Sequence, residues 1–230
     1  MKSLSIIVVV AIVLSSVAFT LYGISVPNHT QEREFSRRIV KAHLGDKYYY
    51  IPKEYLKFSF TSVGKETALL QAWYPGADIV PGDNSTQLWK EGDWWKNVRV
   101  LLTIRKNDIS FDEFSTKSTD YLEATEFVGN QYGLEHYAQP TGTNQDRYDV
   151  WFEKRDGHIR SYITCSEKIS EHSQPKCRNL LFYEKSLLMK ITYDLRLLPE
   201  WKEIQNNVLE MVASFSSREA AQEFLLSKRN

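Results

Sequence analysis

Between Tyr132 and Tyr193 hydrophobic and polar side chains alternate with a period of two, and beyond Pro199 the period lengthens to about 3.6. The first pattern predicts successive strands over Tyr132–Ala138, Tyr148–Lys154, His158–Cys165, Cys177–Tyr183 and Leu187–Tyr193. Asp156-Gly157 is a two-residue hairpin signal between two of them, so the set reads as an antiparallel meander. In the second pattern Trp201, Ile204, Val208, Met211, Val212 and Phe215 share one helical face. Lys202, Glu203, Gln205, Asn206 and Asn207 lie opposite. Pro199 suits the first helical turn. This helix should lie across the sheet and bury its apolar stripe. A short final helix is expected over Ser217–Leu226.

Upstream the pattern is less regular. Lys47–Pro52 reads as a short strand stopped by proline, and Pro52–Leu56 as a turn or a single helical turn. Thr67–Tyr74 and Asn97–Arg105 read as strands, the second long, apolar and expected to be central. Between them, residues 75–96 carry two Pro-Gly pairs, Asp83-Asn84 and Gly92-Asp93, and read as loop. Ser110 and Glu113 have the spacing of a capping box, which predicts a short helix within Asp108–Phe114. The class is α+β: an antiparallel sheet of about five to eight strands with a C-terminal amphipathic helix packed on one face.

The amino terminus changes the setting. Leu4–Val26 contains no charged side chain, and a helix needs about 20 apolar residues to cross a bilayer. A signal peptide also fits: Lys2 is the basic start, Leu4–Leu14 the apolar core and Ser16-Val17-Ala18 the small-residue site before Phe19. Apolar character continues through Phe19, Leu21, Ile24 and Val26, which favours a retained transmembrane anchor over residues 1–26. No cysteine follows the run, which excludes a bacterial lipoprotein anchor. Residues 27–44 read as a juxtamembrane stalk and 45–230 as a single domain. Lys2 favours a cytoplasmic amino terminus, whereas Arg33, Arg37, Arg38 and Lys41 pull the other way.

Two cysteines help to decide. Cys165 and Cys177 flank a polar loop between two strand candidates and are well placed for a disulfide. Such a loop closure stabilises by roughly 3 kcal/mol, and persistent disulfides require an oxidising compartment. Two unrelated buried thiols are the alternative; a zinc site lacks a fourth ligand, since only His172 lies between them. The domain is therefore expected outside the cytoplasm. Asn28-His-Thr and Asn84-Ser-Thr match glycosylation acceptors, which matter only in a eukaryotic secretory pathway.

Lys and Arg number 29 against 29 Asp and Glu. A neutral chain has no electrostatic footprint for nucleic acid, and no polybasic cluster for anionic lipid is visible along the sequence. His29, His43, His136, His158 and His172 are widely separated and fit no metal-binding or nucleophile motif. His136 and its neighbour Glu135 should point to opposite faces of a strand. Asp112, Glu113, Asp120, Glu123 and Glu126 read as a solvated face rather than paired catalytic carboxylates. No glycine-rich phosphate loop is present. No catalytic residue, cofactor or metal is expected, and the chain does not read as an enzyme.

The loop over 75–96 stands out instead. Trp89, Trp94 and Trp95 sit there with Asp83, Glu91 and Asp93, and exposed tryptophan is a common binding anchor. Trp89, Trp94, Trp95 and Asp93 form the candidate partner surface. The alternative is that Trp94-Trp95 begins the next strand, with one ring buried and the other packed on the surface.

Gly45-Asp-Lys-Tyr-Tyr-Tyr-Ile-Pro-Lys-Glu-Tyr-Leu56 resembles the opening of uncharacterised membrane-anchored proteins of Gram-negative bacteria. Ile163-Thr-Cys165, Cys177-Arg-Asn-Leu-Leu-Phe, Leu198-Pro-Glu-Trp201-Lys-Glu-Ile204 and Ser214-Phe215 are similar to their ends. Some of those proteins look like periplasmic immunity proteins that neutralise type VI secretion toxins. The match covers the anchor, the first strand and roughly the last 70 residues, and its motifs shape the fold rather than a site. It implies a single-pass inner-membrane protein whose periplasmic domain binds a protein partner such as a toxin. A structural or accessory subunit of an envelope complex is the other expectation.

Overall fold

The computed structural model describes residues 39–56, 63–64, 66–80, 92–118, 125–138, 148–166 and 174–228. Leu4–Val26, the stalk as far as Arg38, and Trp89 lie outside the described residues. Among the described residues no helix is long and apolar enough to cross a membrane.

Among the described residues ten strands and three α-helices follow in order. Strands β1 (Ile39–Leu44) and β2 (Lys47–Pro52) form a separate two-stranded hairpin. Strands β3 (Thr67–Trp73) and β4 (Asn97–Ile104) precede helix α1 (Phe111–Ser118). Six further strands then run in succession. They are β5 (Glu126–Gln131), β6 (Leu134–Ala138), β7 (Tyr148–Arg155), β8 (His158–Ser166), β9 (Lys176–Tyr183) and β10 (Leu187–Asp194). Helices α2 (Trp201–Ser214) and α3 (Arg218–Ser227) close the chain. The main sheet has eight strands in the order β3-β4-β10-β9-β8-β7-β6-β5, and every pair is antiparallel.

The meander from β6 to β10 and the two C-terminal helices match the expected elements closely. Three particulars differ. Ile39–Leu44 was expected to be stalk but is a strand, because Ile39, Ala42 and Leu44 are buried and a two-residue turn beginning at Gly45 (φ 67°) folds the segment back on β2. Strand β4 is interior but one place from the edge, since only β3 lies beyond it. Tyr132 is not in a strand: Tyr132 and Gly133 both take positive φ (54° and 75°), making the tight turn that joins β6 to the unexpected strand β5.

Side-chain alternation divides the sheet into two faces. On one, Ala68, Leu70, Val98, Val100, Leu102, Met189, Ile191, Tyr193 and Ile163 are buried. Helix α2 lies on it with all six residues of the expected stripe buried. Gln205, expected on the solvent side, is also buried, and its side-chain oxygen accepts from the Asn179 amide at 2.9 Å. Unpaired, that amide would carry the cost of a buried orphan. The Trp201 indole donates to the Tyr132 carbonyl at 2.9 Å, and Asn207 to the Pro75 carbonyl at 2.7 Å. Beside α2, Tyr55, Phe215 and Phe224 cluster with ring centroids 5.6–6.1 Å apart, joining the 3₁₀ turn after β2, the C-terminal cap of α2 and α3. Ser217 caps α3 by accepting from the Ala220 N–H at 3.1 Å.

Cys165 and Cys177 face each other across β8 and β9, Cα atoms 4.0 Å apart, and are joined by a disulfide. Their loop is thereby closed at the sheet itself.

Candidate functional site

Among the described residues, the second face of the sheet is covered over only part of its width. Ser110 accepts from the Glu113 N–H at 3.1 Å, starting α1 where the sequence places a cap. Phe111 and Phe114 of α1 then pack on Phe182, at 4.9 and 5.3 Å between ring centroids, and Phe111 reaches Tyr162 at 5.9 Å. Beneath lies a small core of Val150, Phe152 and Tyr162. The Arg105 guanidinium sits 3.4 Å from the Phe182 ring centroid and donates to the carbonyls of Lys185 and Ile109 at 2.8 and 2.6 Å. Asp112 fastens α1 to β8: it accepts from the Ile159 N–H at 2.6 Å and lies 2.8 Å from His158 Nδ1. The His158 hydrogen bond, then the Ile159 N–H, hold the Asp112 carboxyl below its usual range.

Away from α1 the same face is differently built. In register, Gln71, Arg99, Thr192 and Arg178 form a row across β3, β4, β10 and β9, and residues directly opposite on neighbouring strands share a face. Alternation places Lys190 and Lys176 on this face too. With strands about 4.8 Å apart, Arg99 and Arg178 lie about 10 Å from one another. Arg178 is exposed, whereas Arg99, Lys176 and Lys190 are half-buried. Burial, together with Arg99 and Arg178 close by, lowers the Lys176 ammonium pKa below its usual value. Among the described residues no carboxylate forms an ion pair with any of these four cations. Asp194, opposite Lys176 in register, is engaged by Arg196 at 2.8 Å.

The tryptophan turn borders this patch. Asp93–Lys96 forms a single 3₁₀ turn after Gly92 (φ 76°) and runs straight into β4. Trp94 and Trp95 are both half-buried, and the Arg196 guanidinium lies 4.8 and 5.2 Å from their ring centroids. Asp93 pairs with Lys96 at 3.0 Å. Three of the four residues singled out in the sequence therefore sit together, neither free in solvent nor in the core; Trp89 lies outside the described residues. Sequence reading missed the four cations beside them. Lys176 and Arg178 are two residues apart, which on a strand puts them on one face, but Arg99 and Lys190 join them only through pairing.

The remaining sequence candidates are scattered. Glu135 bonds Lys154 at 2.6 Å and the Tyr137 hydroxyl at 3.1 Å on the face bearing α1. His136, on the opposite face as expected, stacks on Trp151 at 4.5 Å with its Nε2 3.5 Å from Asp149. Asp112 and Glu113 belong to α1, whereas Glu126 lies in β5. Among the described residues no group of three His, Cys, Asp or Glu side chains is arranged to hold a metal ion.

No protein-family model and no curated protein sequence matches the chain. Its fold, however, is similar to that of solved structures. One is Smlt3025, an immunity protein of the Stenotrophomonas maltophilia type IV secretion system, with TM-score 0.62 and 16% identity over 78% of this chain and 94% of that one. Another is the Neisseria meningitidis iron-regulated outer membrane lipoprotein FrpD, with TM-score 0.51 and 11% identity over 78% and 92%. The first bears out the resemblance to immunity proteins in its broad form, although its secretion system is type IV where the resemblance names type VI. At these identities the comparison establishes a shared fold, an antiparallel sheet with a C-terminal helix on one face.

Proposed function

We propose that this chain is an immunity-like protein of the bacterial envelope that acts by occupying a protein partner such as a toxin, without catalysing a reaction. The observation that carries the reading is fold likeness to a secretion-system immunity protein over nearly all of that protein's length. The Cys165–Cys177 disulfide adds a physical argument for an oxidising compartment such as the periplasm. The apolar run Leu4–Val26 would then serve as export signal and tether in the inner membrane. Affinity capture with the full chain from a periplasmic extract should yield one protein in stoichiometric amount that re-forms a complex when purified. Recovery of no such protein from repeated extracts sinks the reading.

Likeness to an outer membrane lipoprotein favours a second reading, an accessory subunit of an envelope assembly. Replacing residues 1–26 with a cleaved export signal separates the two. A neutralising protein keeps its effect when released from the membrane, whereas an assembly subunit loses it.

A further inference from the structure

The chain balances 29 basic against 29 acidic residues, yet four cations share the part of the second sheet face that α1 leaves open among the described residues, with Asp194 opposite Lys176. Arg99, Lys176, Arg178 and Lys190 converge there from β4, β9 and β10, and none is ion-paired among the described residues. None of the four lies directly opposite another, but burial first, then the nearby Arg99 and Arg178, depress the Lys176 pKa against the opposing pull of Asp194. Asp194, itself paired with Arg196, offsets only part of this charge, and among the described residues no carboxylate pairs with the four cations, so the face is suited to neutralisation from outside. Half-buried Leu101 and Leu180 flank Lys190 in register on its two neighbouring strands, so the patch alternates cations with apolar side chains.

Resting on the protein-binding reading above, we propose that this face, bordered by Trp94 and Trp95, docks an acidic surface of a protein partner. The mixture suits a protein: arginine and tryptophan are enriched in protein interfaces, and leucine offers no hydrogen bond to a phosphate. Nucleic-acid binding would use free aromatic faces for base stacking. Here Arg196 already lies over both indole rings. Opposite charge steers encounter and fixes orientation, and removing one such cation weakens binding chiefly through that term.

The test uses the full chain in non-ionic detergent with two fluorescent probes, a short oligoglutamate and an oligothymidylate of equal charge. Arg178→Glu and Lys190→Glu alter the patch. Arg218→Glu, on an exposed position of α3, makes the same charge change elsewhere. The expected result is salt-sensitive oligoglutamate binding that weakens on the order of tenfold in either patch variant and changes less than about twofold in Arg218→Glu. Preference for oligothymidylate overturns the proposal in favour of a nucleic acid, and no binding of either probe, or equal loss in all three variants, overturns it outright. A protein captured from extract that binds Arg178→Glu and Lys190→Glu as well as the unaltered chain places the partner elsewhere while leaving the protein-binding reading standing. Failure to capture any protein, with the oligoglutamate result as expected, leaves the acidic-ligand face standing without that reading.

Discussion

Strand β10 shows both faces of the sheet within eight residues, and they are built to opposite rules. Met189, Ile191 and Tyr193 point beneath α2 and are essentially inaccessible. Lys190 and Thr192, their immediate neighbours, point the other way and remain half-exposed. The covered face is apolar across β3, β4 and β10 and is filled by the α2 stripe, so burial of hydrocarbon holds it together. The open face carries Arg99, Lys176, Arg178 and Lys190, the first two and the last half-buried and Arg178 exposed. Stability and recognition are thus separated by single-residue alternation, so one face can change with little effect on the other.

The sharpest way to break this division is to exchange the two chemistries. Ile191→Asp buries an unpaired carboxylate beneath α2 and should cost about 4 kcal/mol or more, abolishing cooperative unfolding in a denaturant titration. Thr192→Asp, one residue on, should leave the midpoint close to that of the unaltered chain. Equal losses would show that both faces are structural.

Next in size is the disulfide. Replacing Cys165 and Cys177 with alanine removes the closure of a short loop and should lower stability by about 3 kcal/mol in the chain-entropy model. Reductant should destabilise the unaltered chain by a similar amount and leave the double variant unchanged.

Phe182 tests the part of the open face that α1 does cover. It lies between Phe111, Phe114 and Arg105, and Phe182→Ala should cost about 2 kcal/mol, less than a fully buried phenylalanine because the ring is half-exposed. Hydrogen exchange should quicken in α1 before β10. Uniform quickening would join the two parts of the face into one cooperative unit.

Asp112 gives a smaller, pH-dependent effect. Its carboxyl pKa is depressed in the folded state by His158 and the Ile159 N–H. Its contribution is therefore fully present well above the ordinary value of 3.8 and is lost as pH falls through the lower folded value. Acidification into that range should loosen α1 from β8, seen as faster exchange of the Ile159 amide, and Asp112→Asn should show little such acid dependence. The smallest expected effect is on stability in Arg178→Glu, within about 0.5 kcal/mol of the unaltered chain.

Strands β9 and β10 are legible in the sequence because each has one buried and one wetter face, which imposes alternation, whereas β7 and β8, buried on both faces under α1 and α2, are marked by their apolar content and the Asp156-Gly157 turn. Helix α2 is legible because its stripe repeats at helical spacing. Strand β5 is not, for Glu126-Phe-Val-Gly-Asn-Gln131 lies at the sheet edge with Phe127 and Val128 57% and 60% exposed and a register shift between Phe127 and Gly129. A strand with no buried side has no reason to alternate. Strand β1 reads as stalk because Arg37, Arg38 and Lys41 mask the buried Ile39, Ala42 and Leu44.

For the candidate site the division is sharper. The tryptophan pair and the cysteine pair each stand close together or symmetrically about one loop, and local pattern suffices to find them. Arg99 stands far from Lys176, Arg178 and Lys190 in sequence, and although the meander pairs β9 with β10, nothing along the chain reports that β4 pairs with β10 as well. By itself the sequence determines the alternating strands, the amphipathic helix, the placement of the two cysteines about one loop and the apolar amino-terminal run, because each follows from contacts between near neighbours or from hydrophobic period. Only the tertiary structure decides which cations share a face, because strand order is set by long-range pairing and a neutral composition conceals how charge is segregated in space.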